Sequence, residues 1–141
     1  MAVRHRYTLM CETVIRGEDG KLSLINIFQN IELAQFPGGM SRFSFVVGLD
    51  AEPGETVEIT IEPPGKKPAL LTMPHEVQGE RRHQGRFHQG QFQLVGEVLQ
   101  AVFLTPGVYH IVVRSGGRIV DRYPFGVVKT DRPKETSDGT A

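Results

Sequence analysis

For most of its length this chain alternates apolar and polar side chains with period two. The clearest run is 41–50, where Phe43, Phe45, Val47 and Leu49 interleave with Arg42, Ser44 and Asp50. Successive side chains of an extended strand point to opposite faces, so this pattern predicts a strand with one dry and one wet side. The run 56–62 repeats it, with Val57, Ile59 and Ile61 inward and Glu58, Thr60 and Glu62 outward. Upstream, 7–15 predicts a first strand with Tyr7, Leu9, Cys11 and Ile15 on one face. The segment 21–33 is different: Leu22, Leu24 and Phe28 oppose Ile25, Ile27 and Ile31, so both faces are apolar. Such a segment is either an interior strand or one whose facing is switched by a bulge.

Turn chemistry separates these runs. Gly17-Glu18-Asp19-Gly20 reads as a hairpin turn in which Gly20 takes the left-handed conformation. Pro-Gly pairs begin at 37, 53, 64 and 106; Pro53-Gly54 suits a type II turn, and 69–73 is a short edge strand beyond the turn at 64–68. The strongest hairpin signal is 106–128, two β-rich runs around Gly116-Gly117. A two-residue loop there sets Val113 opposite Val120, whereas a three-residue loop with a bulge sets it opposite Ile119. Within this hairpin, Tyr123-Pro124-Phe125 places proline in a strand pattern. Proline is confined to edges or bulges, so 123–128 is expected at a sheet edge, with Tyr123 and Phe125 offered to a partner strand.

Two stretches resist the pattern. In 92–104, Val95, Val98, Leu99, Val102 and Phe103 sit at helical spacing. Gly96, the valines and the strands on either side favour a strand, which is the reading adopted. From 74 to 91 there is little apolar content and no period, which predicts the longest loop. The polar segment 129–141 reads as a flexible tail. The expected architecture is one all-β domain over 1–128, an antiparallel β-sandwich of about seven to nine strands, immunoglobulin-like or a similar two-sheet arrangement.

Composition narrows the function. The 141 residues carry sixteen basic and sixteen acidic side chains. Nucleic acid and anionic membrane surfaces call for a basic excess, so neither is an expected partner. Cys11 is the one cysteine, which rules out an internal disulfide framework and fits a reducing compartment; its alternation suggests a buried, inert thiol. The N-terminus lacks the apolar run of a secretory signal, so a cytoplasmic location is expected.

Candidate chemistry is sparse. His75, His83 and His88 fall in the 75–91 loop and are the candidate ligands of a three-ligand zinc site, although their spacing matches no recognised motif. Arg81, Arg82 and Arg86 are candidates for clasping an anion or a partner carboxylate, diluted by Glu76 and Glu80. Solvated loop residues are the simpler explanation of both groups. His110 reads as a sheet-surface histidine, and Glu58 and Glu62 as a solvated strand face. No nucleophile elbow or phosphate-cradling loop is found.

Three segments carry a resemblance: Leu9-Met-Cys-Glu, Gly20-Lys-Leu-Ser-Leu-Ile-Asn-Ile-Phe, and Pro106-Gly-Val-Tyr with its following Gly-Gly hairpin, together with the Phe36-Pro37 pair. Over about 7–128 the chain resembles an uncharacterised family of short bacterial proteins, a domain of unknown function. The resemblance implies a small cytoplasmic β-sandwich and supplies no catalytic residue, ligand or partner. The expected function is therefore a non-enzymatic protein-interaction module without a cofactor, binding a protein or a second copy of itself. Two alternatives are a metal- or small-molecule-binding protein built on the 75–91 loop, and a carbohydrate-binding module stacking sugars on Tyr109, Tyr123 and Phe125.

Overall fold

A computed structural model describes residues 3–77 and 91–131. These residues form nine strands: β1 (Arg4–Arg16), β2 (Leu22–Phe28), β3 (Asn30–Leu33), β4 (Gly38–Asp50), β5 (Thr56–Glu62), β6 (Leu71–Glu76), β7 (Gln91–Phe103), β8 (Gly107–Ser115) and β9 (Arg118–Lys129). A four-stranded sheet has the order β2-β1-β4-β7, and a five-stranded sheet the order β3-β9-β8-β5-β6. All neighbours are antiparallel except β3, which runs parallel to β9. The two sheets pack as a β-sandwich, with no helix among the described residues.

The core is what the alternation predicts. Phe43, Phe45, Val47 and Leu49 of β4 face Val57, Ile59 and Ile61 of β5 and Tyr109, Ile111 and Val113 of β8, all essentially inaccessible to solvent. Each such side chain contributes roughly 1.5–3 kcal/mol of burial. Phe103 of β7 meets Tyr109 of β8 edge to face, ring centroids 5.3 Å apart, so aromatic contact ties one sheet to the other. The Tyr109 hydroxyl donates to the Thr105 carbonyl at 2.7 Å, which satisfies the one polar atom of a ring buried in the core. This bond explains Pro106-Gly-Val-Tyr: the tyrosine pins the turn that precedes its own strand, as in the tyrosine corner of other sandwiches.

Several expectations are corrected. Segment 21–33 is neither one interior strand nor a single bulged strand. It splits after Phe28, its first part becoming the edge of one sheet (β2) and its second the edge of the other (β3). Asn30 secures the change, its Oδ1 accepting the Gly126 amide at 3.0 Å and starting the parallel pair. The terminal hairpin adopts neither register considered. Gly116 and Gly117, both at positive φ, make a two-residue loop that pairs Ser115 with Arg118 and Arg114 with Ile119. A bulge then skips Val120 and sets Val113 opposite Asp121. The strand β6 continues through Pro74, His75 and Glu76, which were expected in a loop; proline is tolerated there because β6 is an edge. The sandwich also runs past 128: Lys129 belongs to β9, and the Thr130 amide donates to the Leu33 carbonyl at 2.9 Å.

The strand reading of 92–104 holds, and the structure explains its helical look. Leu94, Gly96 and Val98 face inward, but so do Ala101 and Phe103. Inward facing changes from even to odd positions at Gln100, which lies in the left-handed region at φ 55°; the register with β4 is the same on either side, and Gln100 itself has no partner in that ladder.

Candidate interaction surface

The outer face of the four-stranded sheet carries an exposed apolar group on β1 and β2, beside polar positions such as Thr13, Arg42, Ser44 and Glu97. Met10 points into the core opposite Phe45, so its neighbours Leu9 and Cys11 point outward. The register extends this outward row. Leu9 lies beside Val46 and Val46 beside Val95; Cys11 lies between Ser44 and Ile27; Thr13 lies opposite Ile25. Ile15, Ile25 and Ile27 are 52%, 41% and 54% exposed, and Leu99 on the far strand is 60% exposed. Cys11 and Val46 are fully covered even though they lie on this outer side. Burial raises the Cys11 thiol above its ordinary pKa, which makes it a packing group rather than a nucleophile. Tyr7 lies across Gly48, where a side chain would collide with its ring, and its hydroxyl accepts a 2.6 Å hydrogen bond from Gln93 Nε2. The charges near this face are compensated within the chain, Arg42 with Glu97 at 3.5 Å and Arg6 with Asp50 at 3.4 Å.

The outer face of the five-stranded sheet exposes single apolar side chains too, Val108 at 53% and Val128 at 43%, but it is built around a polar cluster. Arg114 Nη1 donates to Glu62 Oε2 at 2.9 Å and to Thr60 Oγ1 at 3.1 Å, and Thr60 Oγ1 donates to Glu62 Oε2 at 2.9 Å. Burial pushes the Glu62 carboxyl up, but the hydrogen bonds from Arg114 and Thr60 and the charges of Arg114 and Arg122 outweigh it. The net result lies below the ordinary carboxylate value. His110, opposite Glu62 and Pro124, is held below the ordinary histidine value by burial and then by Arg122, with Glu62 opposing. The cluster is a closed set of donors and acceptors on a sheet face. It fastens β5 to β8 and leaves its acid and base satisfied by each other.

The structure separates the residues singled out from sequence. His75 lies on edge strand β6 opposite Val57, exposed, beside a depression of about 520 Å³ lined by Glu58, Pro74, Glu76, Arg114 and Gly116. His83, His88, Arg81, Arg82 and Arg86 lie outside the described residues. Among the described residues no three His, Cys, Asp or Glu side chains are placed to hold a metal ion. The edge expected at 123–128 is corrected in its second half: β3 pairs with β9 over 126–129, whereas 123–125 has a strand neighbour, β8, on one side only. Phe125 is buried against Tyr109, ring centroids 5.8 Å apart, and Tyr123 packs on the core. Tyr109 and Phe125 are 1% and 2% exposed, so a sugar-stacking platform on these rings is also corrected. A second concavity of about 290 Å³ opens between β6 and β7, lined by Phe43, Ile61, Leu71, Val98 and Phe103. Sequence reasoning missed Ile15, Ile25 and Ile27 as a surface group. Their signal was the two-sided apolar pattern of 21–33, whose outward side is this patch.

These features define a β-sandwich domain with a satisfied polar cluster on one outer face and an exposed isoleucine group on the other. Residues 6–128 match the family of unknown function DUF6941, and the chain belongs to that family. No curated protein matches it. No helix among the described residues is long and apolar enough to cross a membrane.

Proposed function

We propose that this protein is a non-enzymatic protein-interaction module that docks its partner on the outer face of the four-stranded sheet. One observation carries the reading: Ile15, Ile25 and Ile27 stand exposed next to one another on β1 and β2, beside the covered Cys11. Contiguous exposed apolar surface on a sandwich marks an interaction site, whereas scattered apolar residues need no explanation. The tyrosine corner at Tyr109 and the order of the five-stranded sheet support an immunoglobulin-like kinship for the scaffold. The buried single cysteine supports residence in a reducing compartment.

The test is affinity capture from source cells with the wild-type chain and an Ile25→Ser/Ile27→Ser variant. These positions are half exposed, so the variant is expected to keep its fold and lose the captured protein. Equal capture by both chains rejects the face as the docking surface.

A further inference from the structure

We propose that the occupant of this face is a second copy of the same chain, packed face to face about a two-fold axis; the inference rests on the interaction-module reading. Extent is the first argument. Four strands spaced about 4.8 Å apart and rising about 3.3 Å per residue give a face of roughly 700–800 Å², counting its polar positions such as Arg42, Gln93 and Glu97 with its isoleucines. A standard stable interface takes about 800 Å² from each partner, so the face is large enough without help from the rest of the surface.

Charge is the second argument. Arg42 is already paired with Glu97, and Arg6 with Asp50, on the same chain. A partner chosen by opposite charge would find no net charge to read. An identical face brings the same charge-compensated surface and strands no unpaired ion on burial. An isologous contact requires one patch to be complementary to itself, and the exposed Ile15, Ile25 and Ile27 can meet their own copies across a two-fold axis. The sheet edges are less suitable. Asn26 of β2 and Gln100 of β7 both take φ near 55°, with the backbone of each edge strand turned into the left-handed region at that point. Such irregularities disfavour edge-to-edge pairing.

Sedimentation velocity over a concentration series tests the proposal. The wild-type chain is expected to dimerise, and Ile27→Lys to sediment as a monomer with an unchanged circular-dichroism spectrum. Ile25→Ser is the milder variant and is expected to raise the dissociation constant about tenfold or more. Val108→Lys, on the outer face of the other sheet, is expected to leave the dimer intact. A wild-type chain that is monomeric throughout overturns the proposal, as does a dimer indifferent to Ile27→Lys or one broken equally by Val108→Lys. A monomer that still captures a different protein, lost on Ile27→Lys, overturns self-pairing and leaves the interaction-module reading standing. A monomer that captures nothing overturns both.

Discussion

At position 96 a methyl group would fall inside the ring of Phe45, which is fully buried on the neighbouring strand. Gly96 is thus a notch cut for an aromatic side chain, and Gly96→Ala is expected to destabilise by about 1–3 kcal/mol through overpacking. The midpoint of urea unfolding measures this. Tyr109→Phe keeps the ring packing but strands the Thr105 carbonyl, so a loss of about 1 kcal/mol is expected in the same experiment. The polar cluster predicts the response to acid. His110 titrates lower in the folded chain than its ordinary 6.5, so its contribution is complete above 6.5 and is lost as pH falls from there. Glu62 titrates below its ordinary 4.5, so its contribution is complete above 4.5 and is lost as pH falls through the folded value. Melting temperature against pH should therefore fall in two stages, with His110→Gln removing the upper stage and Glu62→Gln the lower. A single stage unaffected by His110→Gln would contradict this account.

Strand β7 shows how an element hides its type. Its inward positions change parity at Gln100, so the apolar spacing around that residue imitates a helix while the backbone stays extended. A non-glycine residue in the left-handed region carries a cost of about 1–2 kcal/mol. Gln100→Gly is expected to recover up to about 1 kcal/mol of it, and the β-branched Gln100→Val to lose about as much, both read from denaturant midpoints. The strands 41–50 and 56–62 were legible because their alternation is unbroken and one face is fully dry. The facing of 21–33 was not, because its two apolar sides serve two different sheets. The terminal hairpin gave its turn but not its register, since Ile119 and the skipped Val120 are both apolar and the pattern does not say which of them pairs.

For the molecule as a whole, the two sheets depend on each other through Phe103 and Tyr109. Phe103→Ala is expected to cost about 3–5 kcal/mol, a large share of the roughly 5–15 kcal/mol that holds a domain of this kind together. Because one core serves both sheets, the variant should lose them in a single transition at a lower denaturant concentration. Separate transitions for the two sheets would show that the core is not shared.

Taken by itself, the sequence determined the all-β class, the corners, and the inward residues of β4, β5 and β8. Each follows from local chemistry: a two-residue side-chain period, the φ limits of proline and glycine, and the cost of exposing apolar surface. Tertiary structure alone decided that β2 and β3 part to opposite sheets and that β3 lies parallel along β9, which closes the edge expected at 126–128. It also decided that Ile25 and Ile27 face solvent while Cys11 beside them does not. Sheet order is set by contacts between residues far apart in the chain, and a strand's own pattern says that one side is apolar without saying what, if anything, lies against it.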